Sequence, residues 1–175
     1  MSRVASGYTL LELLMVVVVL SIAAVVAIPS SAPMMEVQAE TATGEVALAL
    51  RLARDDARRS GQQRLVSCDP GAGTVTVRAV STEKDTTSPS GQPIYVVALD
   101  SEPAGSTMTL VSCSFTFDDN GTAATVVFDA SGDPVRGIGK GPVRDKALRA
   151  GAIVLGAGHV RRNVNLGATG RITQS

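Results

Sequence analysis

The sequence predicts an α+β protein: a long N-terminal transmembrane and amphipathic helix packed on an antiparallel β-sheet globular domain. Three observations predict it. An apolar run from Leu13 to Ile28, with Ser21 its one polar residue, follows a short basic leader. An amphipathic stretch comes next and ends near Gly61. Beyond residue 62, β-rich runs alternate with turns of Gly, Pro, Asn and Asp. A helix followed by a run of antiparallel strands is the α+β pattern.

The first element is set by its length and by one charge. A helix over residues 8–28 rises about 1.5 Å per residue and so spans about 30 Å, the thickness of a bilayer's hydrocarbon core. Glu12 interrupts the start of the run. A carboxylate at the centre of a membrane helix costs about 2.5–3.5 kcal/mol, so such a group is expected to have a partner and a role. An ordinary secretory signal would carry a shorter apolar region and an Ala-x-Ala-like cleavage site. Here Pro33 directly follows Ala32, where that cleavage would fall. A plain membrane anchor would leave both Glu12 and Gly7 unexplained.

The second element is a helix from about Met35 to Ser60. Val46, Leu48, Leu50, Leu52 and Ala53 recur at helical spacing among Arg51, Arg54, Asp55, Asp56, Arg58 and Arg59. Gly44 is its weak point and Gly61 a C-cap. The charge run from Arg54 to Arg59 reads as a solvated face.

Strands follow. Arg64–Cys68 and Thr74–Val80 alternate about the turn Asp69–Gly73, and Ser81–Pro93 is a polar loop. Ile94–Leu99 and Thr107–Ser112 are the next two strands. Ser114–Phe117 and Thr125–Phe128 flank Asp118–Gly121, where Asn120-Gly121 suits a hairpin turn that needs a positive φ. Asp133–Gly151 reads as a long loop, and Ala152–Leu155 and Asn163–Leu166 complete the set.

Composition bounds the chemistry. The 175 residues carry no net charge, no tryptophan and few aromatics, so the core must be built from Val, Leu, Ile and Ala. Balanced charge gives no global pull towards nucleic acid or an anionic surface. Locally, Lys140, Arg144, Lys146, Arg149, Arg161, Arg162 and Arg171 face only Asp145. One histidine, His159, and two cysteines make a poor zinc site, and no metal or other cofactor is expected. Gly137–Pro142 is superficially like a phosphate loop, but no Ser or Thr follows Lys140 and Pro142 spoils the helix start. Asn120-Gly121-Thr122 fits a glycosylation sequon that the hairpin already explains. No catalytic constellation is present, and an enzyme is not expected.

Gly7-Tyr8-Thr9-Leu10-Leu11-Glu12-Leu13 resembles the processing site of type IV prepilins and of the pseudopilins of type II secretion. The resemblance implies that a prepilin peptidase cuts between Gly7 and Tyr8, that Tyr8 is methylated, and that Glu12 becomes the fifth mature residue. Tyr8 stands where the family usually has phenylalanine and keeps the aromatic ring. Pro29 falls where many pilins kink. Cleavage would leave an α-amino group that is largely cationic near neutrality. A carboxylate on a neighbouring, axially offset helix would neutralise it, and each buried charge is costly alone and tolerable in the pair. Leu52–Arg59 with Arg64–Cys68, then Val127–Gly132, His159–Arg162 and Gly170-Arg171, resemble the GspH/FimT group of minor pseudopilins and pilins.

That resemblance implies a leader at 1–7, a transmembrane helix at 8–28, its amphipathic continuation at 29–61 and a β-rich periplasmic domain at 62–175. Arg3 would stay cytoplasmic, in line with the positive-inside rule. The implied role is an H-type minor pseudopilin of a type II secretion system, single-pass in the inner membrane and incorporated into a pseudopilus. The alternative is a FimT/FimU-like minor pilin that primes a type IV pilus or binds DNA during uptake. Implied partners are other minor and major pseudopilins or pilins, prepilin peptidase, the inner-membrane assembly platform and membrane lipid. With the domain outside the cytoplasm, a disulfide between Cys68 and Cys113 is permitted, the alternative being two separate buried thiols. Arg161, Arg162 and Arg171 are the candidate DNA contacts. Bases on a strand edge also guard against unwanted strand pairing, and no aromatic residue interleaves them.

Overall fold

The computed structural model describes residues 9–26, 31–80, 95–99, 101, 108–138 and 141–175. It divides into two compact units, residues 1–34 and 35–175.

In the first unit, α1 runs from Leu10 to Val26, 17 residues or about 26 Å. Thr9 caps it, its Oγ1 and its carbonyl accepting hydrogen bonds from the Glu12 N–H at 3.3 and 3.1 Å. Thr9-x-x-Glu12 is thus a capping-box spacing, which places the carboxylate in the first helical turn. Among the described residues, no helix is both long and apolar enough to cross a membrane. Tyr8, Ala27 and Ile28, at the ends of the expected span, lie outside the described residues, as do Gly7 and Pro29.

The second unit takes in most of α2 (Ser31–Ser60), which starts four residues earlier than its periodicity predicts. Its buried face is Ala39, Ala42, Thr43, Val46, Ala47, Ala49, Leu50, Ala53 and Ala57, which recur at helical spacing. Six of these nine are alanines, so the face is narrow-shouldered and long side chains must come from the sheets. Arg58 and Arg59 in the last turn suit the negative end of the helix dipole. Gly61 then adopts φ 64° and donates its N–H to the Ala57 carbonyl at 2.9 Å, the left-handed cap.

Ten strands follow: β1 (Arg64–Asp69), β2 (Thr74–Ala79), β3 (Tyr95–Ala98), β4 (Thr109–Phe117), β5 (Thr122–Ala123), β6 (Thr125–Phe128), β7 (Pro134–Val135), β8 (Leu148–Ala157), β9 (Val160–Gly167) and β10 (Ile172–Gln174). They form two antiparallel five-stranded sheets, ordered β3-β2-β1-β6-β7 and β10-β9-β8-β4-β5. One core joins the buried face of α2 to Val66, Val75, Val77, Val126 and Phe128 of the first sheet. The second sheet adds Phe115, Phe117, Ile153, Leu155, Val164 and Leu166. All three phenylalanines of the chain are fully buried there, so the scarce aromatics are spent on the core. Phe115 pairs across strands with Gly151, where a Cβ would lie 2.4 Å from the ring; only glycine leaves the ring its place. Leu65, Val80 and Val127 form a second small cluster on the other face of the first sheet, with Val135 and Ile138 against it.

Three strand expectations are corrected. Thr107–Ser112 and Ser114–Phe117 are not two strands: Thr109–Phe117 is one, carrying an irregularity in register between Leu110 and Ser112. Such a bulge lets a strand continue after a break in its alternation. The turn at Asp118–Gly121 does form, with φ 60° at Asn120, but its return strand is only Thr122–Ala123. Thr125–Phe128 crosses to the other sheet and pairs with β1, register Arg64↔Phe128 to Ser67↔Thr125. The expected loop Asp133–Gly151 contains β7 and the start of β8. The expected loop Ser81–Pro93 lies outside the described residues.

Candidate assembly site

The chemistry-bearing residues fall into two groups, those of α1 and those that tie α2 to the sheets. On α1, every apolar side chain described from Leu10 to Ile22 is at least half exposed, from Leu10 at 84% to Val18 at 50%. A helix that is apolar all round is stable only when something buries it on every side. Glu12 sits exposed in the first turn of this helix, a single carboxylate among leucines.

The charged face of α2 is not simply solvated, as its sequence suggests. Arg54 donates from Nη1 to the Gly170 carbonyl at 2.9 Å, and Arg58 from Nε to the Ser131 carbonyl at 2.8 Å. Arg64, only 5% exposed, donates to Asp56 Oδ2 at 2.5 Å and to Ser60 Oγ at 2.8 Å. Further along the helix, Tyr95 Oη donates to Glu45 Oε2 at 2.7 Å, and that bond holds the phenol pKa above its ordinary value. Arg162 donates to Glu36 Oε1 at 3.2 Å. These bonds fix the helix on its domain at both ends and in the middle. At the β4–β5 hairpin, Asp119 accepts the Gly121 N–H and pairs with Arg136. Both lower its carboxyl pKa, the backbone bond most.

Cys68 of β1 and Cys113 of β4 are joined in a disulfide, Cα–Cα 6.2 Å, which links one sheet to the other across 45 residues of sequence. Their separation is within the ordinary range for a bridge.

The structure does not gather Arg161, Arg162 and Arg171 into one patch. Strand alternation sends Arg162 to the face of Val164 and Leu166, where it meets Glu36 on α2. Arg161 turns to the opposite face, over Gly156. Arg171 stands beside Gly167, whose N–H it accepts on its carbonyl at 2.8 Å, about 20 Å along β9 from Arg161. There it lines an open groove of about 550 Å³ with Ser114, Thr116, Asn165 and Thr173. His159 is exposed at the tip of the β8–β9 hairpin. Lys140 lies outside the described residues, among which no cluster of His, Cys, Asp and Glu could hold a metal ion.

No curated protein matches the sequence. The fold is shared with solved structures at 12% identity. The minor pseudopilin EpsH from the type 2 secretion system of Vibrio cholerae matches with a TM-score of 0.53 over 79% of this chain and 95% of that one. A second structure of that protein gives 0.51 over 79% and 96%. The type IV minor pilin FimU of Pseudomonas aeruginosa strain PAO1 gives 0.50 over 80% and 90%. The prokaryotic N-terminal methylation motif matches residues 2–28. The family described as type II transport protein GspH matches residues 42–170, covering α2 from its first third onward and strands β1 to β9, and the chain belongs to that family.

Proposed function

We propose that this chain is the H-type minor pseudopilin of a type II secretion system, a structural subunit of the periplasmic pseudopilus that drives protein export across the outer membrane. The observation that carries the reading is α1, apolar on every side with a lone carboxylate in its first turn. Such a helix holds the subunit in the inner membrane as a single pass and then packs among the equivalent helices of other pseudopilins. Prepilin peptidase cuts between Gly7 and Tyr8, and the freed amino group is methylated. On assembly Glu12 faces the cationic amino terminus of a neighbour, which gives an otherwise featureless apolar bundle a register. The inner-membrane platform draws the subunit out of lipid as its helix finds protein partners. Nothing in this sequence of events calls for catalysis by the chain itself.

A deletion strain tests the reading through its extracellular protein profile, with surface pili counted on the same cells. Loss of secreted enzymes with pili intact is the expected result. An unchanged secretome with lost pili or lost DNA uptake would select the FimT/FimU-like minor pilin instead, and Arg161, Arg162 and Arg171 would be the next residues to substitute.

A further inference from the structure

The outward face of the second sheet carries polar groups that its own domain leaves unused. Register sets its side chains in lanes along the strands. β4 contributes Ser112, Ser114 and Thr116, β8 contributes Ala150, Ala152 and Val154, and β9 contributes Asn163 and Asn165. Adjacent strands lie about 4.8 Å apart, so an apolar lane runs between a hydroxyl lane and an amide lane about 10 Å from each other. Thr173 of β10, opposite Asn165, adds a hydroxyl beyond the amides. Among the described residues, Asn165 is the one of these polar side chains with a bond, at 3.4 Å to Ser175 Oγ. Guanidinium groups mark the two ends of the lanes, about 20 Å apart along β9. The Arg171 side chain lines the groove at one end and has no partner among the described residues. At the other end the Arg161 guanidinium lies across Gly156, where a Cβ would overlap it. It meets only the Gly158 and Val160 carbonyls of its own turn, both at 3.4 Å. No acidic residue occurs in any of this sheet's five strands.

We infer that this face binds the cell-wall glycan, a linear chain of N-acetylated sugar rings with carboxylates on peptide side arms, an inference that rests on the periplasmic location proposed above. A pyranose ring is apolar on its flat face and polar round its rim. Laid along β8, the chain sets its ring faces on Ala150, Ala152 and Val154 and its rims against the lanes on either side. Ser, Thr and Asn side chains both donate and accept, as a ligand of hydroxyl and acetamido groups requires. Arg161 and Arg171 each offer a carboxylate a charge-assisted hydrogen bond, and the acid-free strands do not repel it. Nucleic acid fits the face less well. One strand carries a charge about every 3.4 Å, so two guanidinium groups about 20 Å apart would leave most phosphates unpaired. No aromatic residue stands in the lanes to stack a base.

The test mixes the full-length chain, in detergent, with purified peptidoglycan sacculi and sediments them. Chitin supplies an uncharged N-acetylated glycan, alginate an acidic one without acetamido groups, and duplex DNA a polyanion. Saturable retention on sacculi is expected, with weaker binding to the other three. Arg161→Gln with Arg171→Gln should weaken retention about tenfold or more, the worth of a hydrogen bond to a charged group. Ala152→Glu, which puts an acid in the apolar lane, should also lower it. The unfolding midpoint should not move in either variant, since these side chains face outward. No retention on sacculi, unchanged retention in either variant, or equal or tighter binding to chitin, alginate or DNA would overturn the inference. Lost secretion in the deletion strain in such a case would leave the pseudopilin reading standing. Secretion and piliation that are both normal in that strain would remove the pseudopilin reading itself, whatever the sacculi retain.

Discussion

The two helices of this chain solve opposite problems. α1 is apolar on every face, and its described apolar side chains from Leu10 to Ile22 are exposed. α2 is apolar on one face only and is covered there by both sheets, while Arg54, Arg58, Glu45 and Glu36 on it are bonded to residues far away in sequence. Burial of apolar surface is the main favourable term in folding, so a helix that forgoes it within the chain must recover it elsewhere. The difference teaches that α2 belongs to the fold and α1 to the assembly. Substitutions in the two should therefore separate stability from function.

The sharpest separation is expected between Phe115 and Leu14. Phe115→Ala removes a fully buried ring from above Gly151 and should cost about 3–5 kcal/mol of unfolding free energy in denaturant titration. Leu14→Ala should leave that titration unchanged and show its effect only in co-purification with other subunits. Equal stability losses in both variants would break the comparison.

Next in size is the bridge between the sheets. A loop of 45 residues closed by a disulfide is worth about 4 kcal/mol in the chain-entropy model, so Cys68→Ser with Cys113→Ser should lower domain stability by roughly that amount. Membrane insertion by α1 should be untouched in the same variant, read by carbonate extraction.

The tether between Tyr95 and Glu45 is smaller. Tyr95→Phe should cost about 1 kcal/mol, the net worth of one hydrogen bond. Its pH dependence has a definite sign. The folded pKa of Tyr95 is raised, so the stability it adds is full below the ordinary value of 10.0 and is lost as pH rises through the folded value. Asp119 behaves oppositely: its pKa is lowered, so its contribution is present above the ordinary carboxylate value of 3.8 and lost as pH falls through the folded one. Unfolding curves of Tyr95→Phe and Asp119→Asn against the parent should therefore converge at the alkaline and acid ends respectively. Parallel curves across the whole range would remove both bonds from the account.

Local signals were legible in the sequence and partners were not. The period of α2, the glycine that ends it, and the positive φ at Asn120 all follow from residues within a turn of one another. The return strand after Asn120 could not be read, because whether Thr125–Phe128 pairs with β4 or with β1 depends on which sheet buries Val126 and Phe128. β7 and β10, two and three residues long, are too short for alternation to register. The charge run of α2 looked solvated because Gly170, Ser131 and Arg64, which engage it, lie beyond the reach of any local pattern. Glu12 was legible for the converse reason. A carboxylate opening an apolar helix is conspicuous without any partner, whereas the capping role of Thr9 becomes readable only once the helix start is known.

Glu12 is proposed to act between chains and not within one. The most direct measurement compares Glu12→Ala with the parent in membranes, scoring insertion, cleavage at Gly7 and co-purification with the other pseudopilins. Normal insertion and cleavage with a marked loss of incorporation are expected. Normal incorporation of Glu12→Ala would contradict the proposal.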